Sequence, residues 1–393
     1  MRVGWSGTAR SRDARLTPRP PLRLRRYLLG AMLGVMGWVG YWLLSSNPAV
    51  AEFVAGSGPV PWLRRYLSRA TGIAPFSLAE FVVIAVALRQ GIGLARGTGT
   101  IRRREDGARR TIARGGLRFA HDVGILVFLF YVLWGFQYAR PNLATRLGIE
   151  PGGEVSTDEL RSLAARSVEI TNELYREIHH RDDAGEPTAA PALRSLVPAL
   201  EEGWSRVQAQ YDLPASVSSS FGAPKGFLAT PLVKRLGLAG VHFPYTGEAL
   251  VLRDLPGVLL GKELGHEMAH QRGFASEADA NVLGFLAAKE SPDPILRYAA
   301  YSFLQRQLVL ALQGVSTEGA SVVTGARLPG VERDLQDLNL YWEPARTPVA
   351  AVATRVNDAM LRSHGIEEGV GSYAGSTWVF IALARERGAD ALF

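Results

Sequence analysis

Three long apolar stretches occupy the first third of the chain. Residues 27–46 contain no charged side chain over 20 positions, which is long enough to cross a bilayer as a helix. Residues 73–95 and 119–138 are also strongly apolar and contain few charges. The pattern predicts three membrane-spanning helices, with residues 47–74 forming a loop between the first two.

From residue 139 onward the pattern changes, and no further apolar run is long enough to span a membrane. Apolar residues recur at helical spacing, for example over residues 156–181 and 193–211. Residues 238–252 instead form short extended runs around Pro244 and Gly247, which predicts a small β element. We therefore expect a mainly α-helical membrane protein, with three N-terminal spans and a mostly helical domain over residues 139–393.

The charge distribution predicts the orientation of the spans. Residues 1–138 carry 20 Arg or Lys against 6 Asp or Glu, whereas the remaining residues carry 24 against 31. Arginines concentrate before the first span and in the segment 96–118, while the segment 47–74 has only three. By the positive-inside rule the N-terminus lies in the cytoplasm and residues 139–393 lie outside the inner membrane, in the periplasm or the exterior.

Residues 1–26 are predicted to be a disordered basic cytoplasmic tail, because they are rich in Arg and Pro and have no periodic apolar face. The alternative is a nucleic-acid-binding arm, but interleaved aromatic residues and a binding fold are absent, so we expect no nucleic-acid partner. Residues 49–51 resemble a signal-peptidase site, and the alternative to a retained anchor is cleavage after Ala51. The chain contains no cysteine, which excludes disulfides, thiolate metal ligands and a cysteine nucleophile.

The most informative motif is the HExxH sequence over residues 266–270. His266 and His270 are four residues apart, so on a helix both imidazoles lie on one face and can bind the same Zn²⁺. Glu267 then lies beside the water on that metal, as a general base requires. The motif predicts a zinc-dependent metallohydrolase.

Catalytic zinc takes three protein ligands, and Glu277 is the nearest candidate for the third. Gly273 can end the first helix, and Ser276 fits the N-cap of the next, so Glu277 would open a second helix turned back towards the histidines. The alternative is that Glu277 is simply an acidic residue favoured at a helix N-terminus. Asn281 lies one turn further along the same face and could hydrogen-bond a ligand.

Several segments together resemble a bacterial membrane-protein family known as domain of unknown function 3810. They are residues 134–141, 245–248, 266–274, 277–281 and 369–373. That family resembles zinc peptidases of the gluzincin kind, in which a Glu on a second helix completes the metal site. The resemblance implies a zincin-like fold for the domain and Glu277 as the third ligand, with Asn281 where several of those peptidases have Asp.

We expect a membrane-anchored metallopeptidase in which zinc activates a water and Glu267 transfers its proton to the leaving amine. The substrate would be a protein or peptide. Candidate donors to the tetrahedral oxyanion are Tyr373 and His364, with His242 and Tyr245 as further candidates, although each also fits a role in the core or at the surface.

Two other roles are left open by the sequence. Glu248 and Glu263 fit solvated positions or a hydrogen bond to a metal ligand. The segment 238–252 is placed to supply an edge strand that holds substrate backbone, as in zinc peptidases that resemble this arrangement, or else it forms a structural hairpin. The motif begins more than 100 residues beyond the third span, which favours a site in solution near the bilayer.

Two alternatives to an enzyme remain. One is a non-catalytic, metal-stabilised envelope scaffold that binds a partner. The other is a membrane assembly or transport component with a fortuitous HExxH, which is disfavoured because the three spans contain few ionisable residues. The sequence does not indicate the oligomeric state or the substrate.

Overall fold

The computed structural model describes residues 24–103, 107–149, 154–364, 366 and 375–393, so nearly all of the predicted basic tail lies outside the described residues. The N-terminal region is made of α1 Leu24–Ser45, α2 Pro48–Ala51, a π-helical turn Glu52–Ser57, α3 Pro59–Gly72, α4 Ala79–Arg102 and α5 Ala108–Leu133. A 3-10 turn, Gly135–Ala139, leads from α5 into the domain.

The domain is mostly helical, with three short strands. Its elements are α6 Leu143–Leu147, α7 Thr157–His179, α8 Leu193–Gln210, β1 Lys225–Gly226, α9 Thr230–Lys234, β2 Gly240–Phe243, β3 Glu248–Val251, α10 Gly257–Gln271, α11 Glu277–Lys289, α12 Pro294–Val315, α13 Thr317–Gly325, α14 Pro329–Trp342, α15 Pro348–Ser363 and α16 Gly375–Arg387. The predicted class, mainly helical with a small β element, is confirmed.

Three helices, α1, α4 and α5, are long and apolar enough to cross a membrane. The three predicted apolar segments form helices, but the second and third, Ala79–Arg102 and Ala108–Leu133, differ at both ends from the predicted 73–95 and 119–138. α4 begins at Ala79 rather than residue 73, because the Glu248 carboxylate accepts hydrogen bonds from the Leu78 and Ala79 amides and so caps the helix there. α5 ends at Leu133 rather than residue 138, because Trp134 leaves the helical conformation with φ −144°.

α1 and α5 run parallel and in close contact. A Cβ added to Gly34 would lie 2.9 Å from the Cα of Gly124, so the two backbones meet where neither residue has a side chain. Further along in the same direction, the rings of Tyr41 and Tyr131 stack with centroids 5.6 Å apart. Their C-terminal ends therefore lie at the same face of the membrane region.

The expectation of a loop over residues 47–74 was wrong, because α3 occupies most of it. Its first turn contains two prolines, which helices tolerate at that position. Val60, Arg64 and Ser68 lie on its buried face, whereas Trp62 and Tyr66 are exposed. The helix is amphipathic but too short and too polar to span a membrane, so a search for long apolar runs does not find it.

α10 is the centre of the domain, and every one of its side chains is buried. It contacts α11, α12, β2 and β3. A Cβ on Gly265 would lie 2.6 Å from the carbonyl oxygen of Gly284, so α10 and α11 touch backbone to backbone at these two glycines. This close approach brings the first turn of α11 against the middle of α10.

The start of α10 differs from expectation. The sequence predicts Asp254 as the N-cap of this helix, because Asp is favoured there, whereas the N-cap in the structure is Pro256. The Asp254 carboxylate instead accepts a hydrogen bond from the Tyr341 hydroxyl at 2.9 Å and pairs with Lys234 at 3.2 Å. The Asp254 carboxylate therefore binds two residues that are distant in the chain and does not cap the helix.

The three strands form one sheet in the order β1-β3-β2. β2 is antiparallel to β3, with Gly240 opposite Val251 and Phe243 opposite Glu248. β1 is parallel to β3 on its other side. Among the described residues β2 is therefore an edge strand.

Glu248 connects this sheet to the membrane region. Its buried carboxylate lies 2.5 Å from the Lys225 ammonium, accepts from the Thr246 hydroxyl and caps α4. Lys225 also donates to the backbone carbonyls of Thr71 and Phe76. The sequence favours a solvated Glu248 or a hydrogen bond from it to a metal ligand, and both expectations were wrong. Glu248 instead holds β3 against the segment between α3 and α4.

Replacing Glu248 by Gln is expected to destabilise the folded protein by about 3 to 5 kcal/mol, because the buried Lys225 ammonium would lose its counter-ion. The thermal unfolding temperature of the detergent-purified protein measures the effect. Glu169→Gln is the control, since it removes one partner of an exposed pair with Arg166 and should leave that temperature unchanged. Equal shifts in both variants would contradict a structural role for the buried pair.

Candidate metal centre

His266, His270 and Glu277 converge in the interior of the domain. The Nε2 atoms of the two histidines are 3.1 Å apart, and Glu277 Oε2 lies 3.2 Å from the first and 3.4 Å from the second. The three residues are 5%, 7% and 8% exposed. They form a buried group with the composition and spacing of a metal site.

Local structure explains how α11 presents Glu277 to α10. The chain turns at Gly273, whose φ of +98° is in the left-handed region that favours glycine. Ser276 then caps α11 by accepting a hydrogen bond from the Asp279 amide, as the sequence predicts. Asp279 in turn accepts a hydrogen bond from the Leu143 amide at 2.9 Å. Glu277 is the first residue of α11, one residue after the cap.

Both imidazoles are held through their Nδ1 atoms. Nδ1 of His266 lies 2.9 Å from Asn281 Oδ1, and Nδ1 of His270 lies 2.7 Å from the carbonyl oxygen of Phe274. A carbonyl oxygen can only accept, so Nδ1 of His270 carries the proton and its neutral ring presents a lone pair at Nε2. Two Nε2 lone pairs and a carboxylate at this distance require a shared cation, either a proton or a metal ion.

The pKa values of the three residues reflect the same need for a shared cation. Burial lowers the pKa of His270, but the Glu277 carboxylate outweighs it and raises that pKa to about 9. Burial lowers the pKa of His266. Burial would raise the pKa of Glu277, but the two histidines lower it below its usual value.

Glu267 lies beside this group on α10 and contacts β2. A Cβ on Gly240 would lie 2.6 Å from both Cγ and Oε1 of Glu267. The Oε2 atom of Glu267 is buried and has no hydrogen-bond partner among the described residues, and the same holds for Oε2 of Glu277. Burial raises the pKa of Glu267 to about 8. The Glu267 carboxylate is therefore available to a water or a substrate.

The end of the third membrane helix forms one wall of the centre. The ring of Trp134, the residue after α5, meets His270 edge-on at 5.5 Å and lies 4.9 Å from His242. Tyr138, in the following 3-10 turn, is partly buried, and its pKa is raised by burial and further by the Glu277 carboxylate. The sequence favours a site in solution near the bilayer, and the contact between Trp134 and His270 places the centre next to the end of α5 although more than 100 residues separate them in the chain.

Sequence reasoning did not assign Trp134 and Tyr138 to the site, although both belong to the segment 134–141 that carries part of the family resemblance. Nothing in that segment has metal-ligand spacing. Its contact with α10 depends on the fold alone.

His364 lies on the far side of Tyr138, with ring centroids 4.8 Å apart. Its Nδ1 is 2.8 Å from the carbonyl oxygen of Met360, so Nδ1 carries the proton, and its buried Nε2 has no partner among the described residues. Burial lowers the pKa of His364, so the neutral ring is favoured. Tyr373 lies outside the described residues.

The remaining candidates, His242, Tyr245 and Glu263, lie at different positions in the fold. His242 is on β2, and burial lowers its pKa well below the usual value. Tyr245 donates its hydroxyl hydrogen to the carbonyl oxygen of Leu126 in α5. Glu263 is buried and lies 3.1 Å from the Lys262 ammonium.

A cavity of about 770 Å³ lies next to the centre. Tyr138, Phe274, Ala278 and His364 contribute to its wall. His266, His270, Glu277 and Glu267 do not border it. The candidate centre is thus enclosed, with Tyr138 and the residue after Glu277 facing the cavity.

Comparison with known protein families gives one match. Residues 57–379 match DUF3810, described as a protein of unknown function. Searches of curated proteins and of solved structures give no significant match. The match spans α3 to α16, including the candidate metal centre and two of the three candidate membrane spans, and on this basis the chain belongs to the DUF3810 family.

Proposed function

We propose that this chain is a membrane-anchored zinc metallopeptidase with His266, His270 and Glu277 as metal ligands and Glu267 as general base. The observation that carries the proposal is the triangle of ligand atoms, whose sides are 3.1, 3.2 and 3.4 Å. Zn–N and Zn–O bonds of about 2.0–2.1 Å in tetrahedral geometry place ligand atoms roughly 3.3 Å apart. The agreement favours a small tetrahedral metal over a chance cluster.

The donor set also fits zinc. Two imidazoles and one carboxylate leave a fourth position open, which is the pattern of catalytic rather than structural zinc sites. Asn281 and the Phe274 carbonyl hold both Nδ1 atoms, which leaves each Nε2 atom free to bind a metal. A Glu on a second helix as third ligand is also what the resemblance to gluzincin-type peptidases implies.

When bound, the metal would supply a Lewis acid that lowers the pKa of a water and polarises the substrate carbonyl. Glu267 accepts the proton of the attacking water at its free Oε2 and delivers it to the leaving nitrogen. The hydrophobic surroundings of Trp134 exclude other water from the site.

β2 is the candidate platform for substrate backbone. Ala239 O accepts from Leu252 N, so by alternation the amide and carbonyl groups of Gly240 and His242 point away from β3. Gly240 is also the residue that touches Glu267. A peptide paired to this free edge would pass directly beside the general base.

Tyr138 is the best-placed donor for a tetrahedral oxyanion, because its hydroxyl stays protonated and is close enough to Glu277 for that carboxylate to raise its pKa. His364 is less suited, since its proton is on Nδ1 and directed at Met360. We expect Tyr138→Phe to lower kcat roughly 10²-fold with metal content unchanged. Tyr301→Phe, which removes a buried hydroxyl that donates to Phe393 O, is the control for stability and should leave kcat unchanged.

Asn281 is proposed to orient His266 through the 2.9 Å contact with Nδ1. Asn281→Ala is expected to weaken zinc binding by about 10- to 100-fold while leaving the three ligands in place. Competition with a chelator of known affinity measures the change. An unaltered zinc affinity would remove Asn281 from the site.

The second candidate function is a metal-stabilised scaffold without catalysis. The enclosure of the centre favours it, because neither the ligands nor Glu267 border the neighbouring cavity. A structural site, however, gives no reason for a buried Glu267 carboxylate without a partner.

The proposed orientation places the N-terminus in the cytoplasm and the domain outside the inner membrane, on the arginine distribution and the three candidate spans.

The direct test is metal analysis of the detergent-purified full-length protein after purification in zinc, together with cleavage of an unstructured protein such as casein. We expect about one zinc per chain and measurable cleavage. His266→Ala should lose both, whereas His180→Ala, at the exposed end of α7, should lose neither. Absence of zinc from the wild type would refute the proposal, and zinc without cleavage of any substrate would favour the scaffold.

A further inference from the structure

The depth of the candidate centre relative to the membrane points to a class of substrate, given the proposed peptidase function. α1 and α5 run parallel and end at the same membrane face, so the end of α5 marks that level. Trp134 follows α5 immediately and contacts His270. The candidate centre therefore lies at the membrane surface, not above it.

The hairpin between β2 and β3 reaches deeper still. The Tyr245 hydroxyl donates to the carbonyl oxygen of Leu126 at 3.1 Å. Leu126 precedes the end of α5 at Leu133 by seven residues, which is roughly 10 Å at 1.5 Å per residue. The hairpin turn lies alongside the upper part of a membrane helix.

Exposed apolar side chains of the connecting segments lie at the same level. On α3, Trp62, Leu63 and Tyr66 are exposed while Arg64 on the opposite face contacts Gly273. Glu80, at the start of α4, accepts from the Leu228 and Ala229 amides, which places the exposed Leu228 at the membrane end of that helix.

Tryptophan and tyrosine are favoured at the bilayer interface, and an amphipathic helix such as α3 lies in that plane. The wider set of exposed apolar residues outside α1, α4 and α5 includes Phe53, Ile73, Phe76 and Leu232. Together these side chains indicate that the bilayer surface passes just below the candidate centre.

The free edge of β2 runs from the level of Glu267 to the level of the bilayer. Its Gly240 end touches Glu267, and its Phe243 end leads into the turn that contacts Leu126. A peptide paired along β2 would therefore run from the bilayer to the general base. β2 runs from Gly240 to Phe243, three residue steps or roughly 10 Å of extended chain, before the turn begins.

We propose that the substrates are membrane-anchored polypeptides, cut at a peptide bond a few residues from the point where their chain leaves the bilayer. The edge strand binds the extended segment next to the anchor and carries it past Glu267. Hydrolysis adds one water across that peptide bond, releasing a soluble fragment with a new terminus and leaving the stub in the membrane.

The test uses the full chain reconstituted in vesicles of phosphatidylethanolamine and phosphatidylglycerol. The probe is a pool of single-span helices that carry randomised polar segments, either directly after the span or after a flexible Gly-Ser spacer of about 30 residues, a length at which the segment is still held near the membrane. A soluble pool carries the same segments without the span. Cut positions are read by mass spectrometry, and Glu267→Gln supplies the blank.

We expect cuts to cluster within a few residues of the span, and the directly joined segments to be cut at least roughly 10-fold faster than the spaced ones. Because both anchored pools share the same confinement, that difference reports on depth and not on local concentration. Equal cutting of spaced and direct segments, or of the soluble pool, would overturn the inference while leaving the peptidase standing. Cutting of no pool by a zinc-loaded wild type would refute the peptidase and this inference with it.

Discussion

Glu267→Gln is expected to reduce peptide hydrolysis by about 10²- to 10⁴-fold while zinc content and thermal unfolding temperature stay close to those of the wild type. Glutamine has nearly the same shape but cannot accept the proton of the attacking water. The Oε2 atom of the wild-type carboxylate is buried without a hydrogen-bond partner among the described residues, so glutamine breaks no hydrogen bond at that atom. Initial rates on casein and metal analysis of the same preparations measure both quantities.

The control for this variant is Glu263→Gln, one turn earlier on α10. That carboxylate is also buried, but it forms an ion pair with the Lys262 ammonium at 3.1 Å. We expect the Glu263 variant to keep most of its activity. If both variants lost activity equally, the effect would reflect general disturbance of α10 rather than loss of a base.

Glu277→Ala is expected to weaken zinc binding by roughly 10³-fold, because two imidazoles alone do not form a catalytic zinc site. The variant should be purified with little or no metal, and it should be inactive. Since a metal that binds only the folded state stabilises it, the variant should unfold near the temperature of the chelator-treated wild type.

Glu290→Gln serves as the matched control at the other end of α11, where the carboxylate pairs with Lys289. It should retain about one zinc per chain. Full zinc occupancy in Glu277→Ala would show that Glu277 is not a ligand, and the acidic residue would then be explained by the helix N-terminus alone.

Local sequence predicted the features that depend on near neighbours. The HExxH spacing places two imidazoles on one helix face whatever surrounds the helix, and Ser276 caps α11 through a bond within one turn. The apolar composition of the three candidate spans likewise predicts helices in a bilayer, since a single segment satisfies its own backbone hydrogen bonds there only as a helix.

Local sequence failed where a distant partner decides the outcome. Asp254 has the chemistry of an N-cap, but Tyr341 and Lys234 bind it instead. Glu248 has the chemistry of a solvated acid, but it is buried because Lys225 and the first amides of α4 meet it there. These pairings join residues far apart in the chain, and spacing along the sequence contains no information about them.

By itself the sequence determined that the chain has three apolar segments, a helical domain and two histidines that can bind one metal. Each of these follows from local composition or from the spacing of residues along a helix. Only the tertiary structure decided that Glu277 and Asn281 meet that pair, and that Trp134, at the end of α5, packs against it. The physical reason is that helix packing, here the contact of Gly265 with Gly284, sets distances between elements that are independent of the number of residues separating them.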